Sequence, residues 1–75
     1  MITKGQAMAL RVGTILYHSV LRNSDGSALR ARVMGKCKEW KKEPLRFRLP
    51  VCHGLRDYGN IDQSNNGVWS TVEPK

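Results

Sequence analysis

Four residues of this 75-residue chain carry side chains that could act as soft metal ligands or nucleophiles: His18, Cys37, Cys52 and His53. Zinc sites usually take two ligands from one short turn, at spacings such as C-x₂₋₄-C. Here the only adjacent pair is Cys52-His53, and neighbouring side chains of a strand point to opposite faces. No third group stands out that would orient the histidine as a base. We therefore predict a non-enzymatic protein without metal or cofactor, with buried cysteines and surface histidines.

The second feature with chemical potential is a basic segment, residues 28–48. It holds eight basic residues and two acids, a net charge of +6 out of +7 for the whole chain. Its arginines alternate with apolar residues, which is the period of a strand rather than of a helix. Cations on one side of a sheet can bind phosphates and release counterions, and an indole can stack on bases. The predicted nucleic-acid-binding residues are Arg30, Arg32, Lys36, Lys38, Trp40, Arg46 and Arg48.

Other interpretations of these charges stay open. Small sheets need solubilising outer faces, and exposed lysines discourage edge pairing. Trp40 is either an exposed stacking residue or part of a small core. An acidic protein is the competing partner to nucleic acid. A membrane partner is excluded, because the basic segment lacks helical period and no apolar run approaches the roughly 20 residues of a span.

Clusters of turn-forming residues divide the rest of the chain into short strands. Strands are predicted at residues 14–21, 28–33, 45–51, 58–61 and 68–72, with another short strand between Gly35 and Trp40. The sequence NSDGS (23–27) predicts a hairpin, because Asp-Gly supplies the positive φ of a tight turn. KKEP (41–44) and QSNNG (63–67) predict further breaks, and residues 53–56 have room for one helical turn.

The position of Gly35 suggests how the second and third strands pair. A two-residue loop would carry Lys36 and Lys38 onto the apolar face, at the cost of burying charge. A three-residue loop containing Gly35 pairs Val33 with Cys37 instead. This register leaves both lysines and the indole on the same side as the arginines.

The predicted core follows from alternation along the strands. In the strand at 45–51 the apolar residues point inward and the two arginines outward. Aromatic and branched residues near the last strands are expected to complete the core. The predicted core residues are Leu29, Ala31, Val33, Leu45, Phe47, Leu49, Val51, Tyr58, Ile61, Val68 and Trp69.

Two resemblances accompany this interpretation. The runs DGSALRARVMGKCKEWK (25–41) and RFRLPV (46–51), about a third of the chain, resemble small uncharacterised proteins of bacteriophages and prophages. The strand order, with a helical turn before the fifth strand, resembles SH3-like barrels. The resemblance implies an all-β fold, a five- to six-stranded antiparallel SH3-like or OB-like barrel. Members of such folds bind either nucleic acid or peptides.

The expected organisation is a single domain. Residues 1–10 are predicted to be a flexible N-terminal segment, with Met8 an alternative start, residues 11–72 a small β-barrel and residues 73–75 a tail. Two cysteines and no visible signal peptide predict a cytoplasmic protein, with a Cys37–Cys52 bridge left open. The choice of DNA or RNA and the oligomeric state are not determined by the sequence.

Overall fold

Six antiparallel strands and two short helical segments make up residues 1–74, which the computed structural model describes. Helix α1 (Lys4–Ala9) comes first, and a 3₁₀ turn (Asn66–Val68) precedes the last strand. The strands are β1 (Ile15–Arg22), β2 (Ala28–Val33), β3 (Lys38–Trp40), β4 (Glu43–His53), β5 (Asp57–Asp62) and β6 (Trp69–Ser70). They form one sheet in the order β3-β4-β2-β1-β6, with β5 also paired to β4. The predicted all-β class is confirmed.

The sheet is strongly curved. In the strand order β2 and β1 separate β4 from β6, so in a flat sheet β4 and β6 would lie about 14 Å apart. Instead the ring of His53 in β4 lies 5.4 Å from the ring of Trp69 in β6. The sheet therefore curls around its core, as expected for a small β-barrel.

Strand β4 is the centre of the sheet. Arg48 pairs with Lys38 of β3 and with Asp62 of β5, while Cys52 pairs with Arg32 of β2 and Tyr58 of β5. Strand β5 therefore occupies one edge of β4, and β3 and β2 follow one another along the other edge. Since β2 and β3 are both antiparallel to β4, they run in the same direction.

This arrangement overturns the predicted hairpin between the second and third strands. Val33 pairs with Val51, not with Cys37, and the chain does not reverse at Gly35. Instead it passes close to β4, where a Cβ on Gly35 would lie 3.1 Å from Cγ of Pro50. Lys36 lies on this connection with its side chain exposed, so its charge is not buried.

The predicted hairpin between β1 and β2 is confirmed, with an irregularity in β1. Gly26 has a φ of 86° at the turn, and the N–H of Asn23 donates to the carbonyl of Ser27. The β1–β2 register shifts between Tyr17 and Arg22. Within this bulge Nδ1 of His18 accepts hydrogen bonds from the N–H groups of Val20 and Leu21. His18 is buried and its ring meets Trp69 edge-on, so the expectation of a surface histidine is wrong here.

The N-terminal segment is packed into the core. The hydroxyl of Thr3 accepts from the N–H of Gln6, and the Gln6 side chain accepts from the N–H of Thr3, which is a capping box. Ile2 and Ala7 are buried in the main cluster. Ile2 also exchanges two hydrogen bonds with Asn66. The sequence pattern did not predict this helix. Lys75, part of the expected C-terminal tail, lies outside the described residues.

Most of the predicted core is found, with two clear exceptions. The buried cluster is Ile2, Ala7, Leu16, Ala31, Val33, Phe47, Leu49, Val51, Ile61 and Trp69, with Leu29 and Val68 packed against it. Leu45 is 82% exposed, because β4 starts at Glu43 and Leu45 lies beyond the part covered by the core. Tyr58 is 68% exposed. The predicted helical turn at 53–56 is also wrong: residues 54–56 form a hairpin turn, and the single 3₁₀ turn found in residues 1–74 comes later, before β6.

Candidate nucleic-acid interface

Cross-strand pairing places the predicted basic residues, except Lys36, on one side of the sheet. Paired residues of neighbouring strands share a side, and so do residues two apart in one strand. Arg32, Cys52 and Tyr58 form one row across β2, β4 and β5. Lys38, Arg48 and Asp62 form a second row across β3, β4 and β5. The rows are four residues apart along β4, about 13 Å. We call this side, with Arg30, Arg32, Lys38, Arg46 and Arg48, the basic side.

Trp40 is the centre of a cation cluster at one end of the basic side. The guanidinium carbons of Arg46 and Arg48 lie 4.2 and 5.7 Å from the centre of the indole ring, and Nζ of Lys38 lies 5.0 Å from it. All three cations are within the range in which an aromatic ring attracts them. Trp40 itself is half-buried. The indole therefore holds three cations in place, rather than standing free as a stacking surface.

At the other end of the basic side, β1 and β2 contribute a smaller group. Arg30 pairs with Tyr17 across the strands, and its guanidinium carbon lies 5.7 Å from the tyrosine ring. It also forms an ion pair with Glu73 at 3.6 Å. Arg32 is exposed, and a depression of about 160 Å³ lies between it, Arg30 and Gly54. This depression could seat a phosphate or a small part of a base.

Not every predicted site residue belongs to the basic side. Lys36 lies on the connection between β2 and β3 and lines a different pocket, together with Leu10 and Cys37. The predicted register brought Lys36 beside the arginines, and this placement is wrong for the same reason as the β2–β3 hairpin. Arg46 is partly neutralised, since its guanidinium lies 2.8 Å from the carboxylate of Glu43. Arg32, Lys38 and Arg48 form no ion pair with another of residues 1–74.

Tyr58 is a candidate site residue that the sequence pattern assigned to the core instead. It lies in the row of Arg32 and is 68% exposed, so its ring is available to a ligand on the basic side. A signal for this was present in the sequence. Ile61 was correctly assigned to the core, and residues three apart in a strand point to opposite sides. If residues 58–61 form one strand with Ile61 in the core, Tyr58 must point outward.

The acid at the end of the second row helps to order the turn after β5. The carboxylate of Asp62 accepts hydrogen bonds from the hydroxyl and the N–H of Ser64. These bonds, with a smaller contribution from the charge of Arg48, hold the pKa of Asp62 below its ordinary value. The carboxylate is therefore ionised at neutral pH and reduces the positive potential at this edge.

Neither cysteine lies in surroundings that favour a reactive thiolate. Both cysteines are free thiols, so the Cys37–Cys52 bridge left open by the sequence is not formed. The thiol of Cys52 is buried and donates to the carbonyl of Gly54. Burial raises the pKa of the Cys37 thiol, which opposes formation of the nucleophilic thiolate. Within residues 1–74 no three His, Cys, Asp or Glu side chains are grouped to hold a metal ion.

Two further findings bear on the class of the protein. No helix among the described residues is both long and apolar enough to cross a bilayer. Comparisons with protein-family models, curated proteins and solved structures find no match for this chain. Its function must therefore be argued from its own residues.

Proposed function

We propose that this chain is a small non-enzymatic domain that binds nucleic acid through the basic side of its sheet, with a preference for single strands. The observation that carries the proposal is the placement, on one side of the sheet, of an exposed aromatic ring together with cations that form no ion pair within residues 1–74. Arg32 and Tyr58 lie in one row, and Lys38 and Arg48 lie in a second row four residues away along β4. Cations that track a backbone beside a ring on which bases stack are the usual means of binding single strands.

The spacing of the rows suits a phosphate backbone. About 13 Å separates the two rows along β4. Cations of the two rows can therefore contact different phosphates of one extended strand that crosses the basic side. The contacts fall on strands rather than on a recognition helix, so we expect phosphate binding with little reading of base identity.

The two aromatic residues have different roles in this proposal. Trp40 keeps Lys38, Arg46 and Arg48 together at the phosphate end, because its ring attracts all three. Tyr58 supplies the stacking surface. From the sequence, Trp40 is either a stacking residue or part of the core, and the proposal assigns the stacking role to Tyr58.

Fluorescence anisotropy with labelled oligonucleotides tests the proposal. Single-stranded and double-stranded DNA and RNA of equal length are titrated at low salt and again at physiological salt. We expect binding at low salt, tighter for the single strands, that weakens steeply with salt. Absence of binding to all four at low salt would refute the proposal.

A protein–protein interaction module is the competing function. A phage or mobile-element protein that docks on an acidic host partner would use the same cations, and the resemblance of residues 25–41 and 46–51 to phage proteins motivates it. Such a module would bind one partner in a salt-tolerant way and have negligible affinity for oligonucleotides. The two free cysteines agree with the reducing, cytoplasmic location that we propose under either function.

A further inference from the structure

A pocket of about 490 Å³ lies between the N-terminal segment and the connection from β2 to β3. Met8 lines it from α1, and Leu10, Arg11 and Val12 line it from the link between α1 and β1. Lys36 and Cys37 line it from the other side. It shares no lining residue with the basic side. Its volume falls in the range of roughly 300–1,000 Å³ that is typical of small-molecule sites.

One part of the pocket wall is apolar and open to water. Val12 is 65% exposed and Met8 is 48% exposed. Leu10 and Cys37 are half-buried and pack against the core, which fixes the floor of the pocket. A ligand with an aliphatic chain would remove the exposed apolar surface of Met8 and Val12 from water.

The remaining part of the wall is positively charged. Arg11 and Lys36 line the pocket from the two segments, both are exposed, and neither forms an ion pair with another of residues 1–74. The nearby acid Glu39 is already paired with Lys4 at 3.4 Å. Burial raises the pKa of the Cys37 thiol, so this group adds no negative charge at neutral pH.

We propose that this pocket binds a small amphipathic carboxylate, an aliphatic chain with one terminal carboxylate group. The chain lies against Met8, Leu10 and Val12, and the carboxylate lies between Arg11 and Lys36. An uncharged chain would leave the two cations without a partner, and a bare carboxylate would leave the apolar wall exposed. The site is independent of the proposed nucleic-acid binding.

Binding of decanoate to the full chain tests the proposal, below the concentration at which decanoate forms micelles. NMR shift mapping should place it at residues 8–12 and 36–37. Decanol, which keeps only the chain, should bind about fivefold more weakly, as expected for the loss of two exposed ion pairs. Acetate, which keeps only the carboxylate, should bind at least about tenfold more weakly. Equal binding of decanol, shifts scattered over the surface, or no binding would each overturn the proposal.

Charge variants separate this site from the basic side. The double variant Arg11→Gln, Lys36→Gln should bind decanoate about fivefold more weakly, as expected for two exposed ion pairs. The matched variant Arg32→Gln, Arg48→Gln loses the same charge and should bind decanoate as the wild type does. Equal loss in both variants would show a general charge effect and overturn the assignment.

The two thiols give a second readout within the wild-type chain. Cys37 lines the pocket, whereas Cys52 is 2% exposed. Saturating decanoate should slow alkylation of Cys37 severalfold and leave the slow alkylation of Cys52 unchanged. An unchanged rate at Cys37 would contradict occupation of the pocket.

Discussion

Tyr58 and Trp40 show how two aromatic residues of one small sheet take different tasks. Tyr58 protrudes from β5 with most of its surface in water. Trp40 is half-buried under cations from β3 and β4. A ring whose surroundings are filled by guanidinium groups stabilises those groups, whereas an open ring is available to a ligand. The two residues should therefore respond differently to truncation.

The Tyr58→Ala variant should lose affinity for single-stranded oligonucleotides without losing stability. Removal of one stacked aromatic costs about 1–3 kcal/mol of binding free energy, while an exposed side chain contributes little to folding. Anisotropy titrations and urea denaturation measure the two effects. Tyr58→Phe should bind as the wild type does, and Leu55→Ala, which removes a residue 92% exposed in the neighbouring turn, is the control. Equal losses for Tyr58→Ala and Leu55→Ala would count against stacking.

The Trp40→Ala variant should be less stable than the wild type. Three cations lose the ring that attracts them and a half-buried side chain is removed, so we expect a cost of about 1–3 kcal/mol in unfolding free energy. Affinity for oligonucleotides should fall as well, because Lys38, Arg46 and Arg48 are no longer held together. Urea denaturation gives the first quantity. An unchanged midpoint would show that Trp40 is dispensable for this cluster.

At the level of elements, the N-terminal segment contributes more than its composition suggests. Its residues are small and weakly periodic, which is why no helix was predicted there. The structure stabilises a helix of six residues through a capping box at its start and burial of Ile2 and Ala7. Short helices depend on such packing rather than on propensity.

The Ile2→Ala variant tests this contribution. Truncation of a buried isoleucine typically costs 2–5 kcal/mol, so thermal unfolding should move down by at least about 10 °C in a chain of this size. A chain beginning at Met8 should be affected more, since it lacks the cap as well. Met8→Ala, at a position 48% exposed, is the control and should leave the midpoint nearly unchanged. A full-stability chain starting at Met8 would contradict the packing described here.

The turn after β5 should make stability depend on pH. Hydrogen bonds from Ser64 lower the pKa of Asp62 in the folded chain. The ionised carboxylate therefore contributes stability above the pKa of the unfolded chain, and this contribution is lost as the pH falls through the lower, folded pKa. Urea denaturation from about pH 5 to pH 2 should show a shallower decline for Asp62→Asn than for the wild type. Ser64→Ala should also flatten the decline, and parallel curves would refute the assignment.

Local patterns predicted individual strands well but not their partners. The alternation of residues 28–33 and the turn at Asp25-Gly26 were enough to place β2 and its hairpin, because both depend on neighbouring residues. The pairing of β2 with β4 joins residues about twenty positions apart, and no local signal specifies it. The predicted three-residue loop keeps Lys36 out of the core through its register. In the structure Lys36 is exposed because it lies on a connection between β2 and β3 that does not reverse the chain.

In the candidate site too, local alternation predicts some positions, whereas others depend on which strands pair and in which register. Exposed arginines of β2 and β4 could be predicted because alternation decides which side they take. The contact of Trp40 with three cations could not be, since it needs the register of β3 against β4. Lys36 was assigned to the wrong place because its position depends on how β2 continues into β3.

At the scale of the whole molecule, the positive charge is divided between two places by the fold. The basic segment carries a net charge of +6 along the sequence. In the structure most of its cations line one side of a curved sheet, while Lys36 lines the pocket near α1 together with Arg11, which lies outside the segment. Cations that are neighbours in sequence thus serve two separate surfaces.

The salt dependence of oligonucleotide binding is the most direct test of the basic side. For single strands the logarithm of the binding constant falls by about 0.7 per unit of log salt for each phosphate contacted. The Arg32→Gln, Arg48→Gln variant should therefore give a slope shallower than that of the wild type by about 1.4. The Arg11→Gln, Lys36→Gln variant, with the same net charge, should keep the wild-type slope. Equal slopes for the two variants would contradict the assignment of nucleic-acid binding to the basic side.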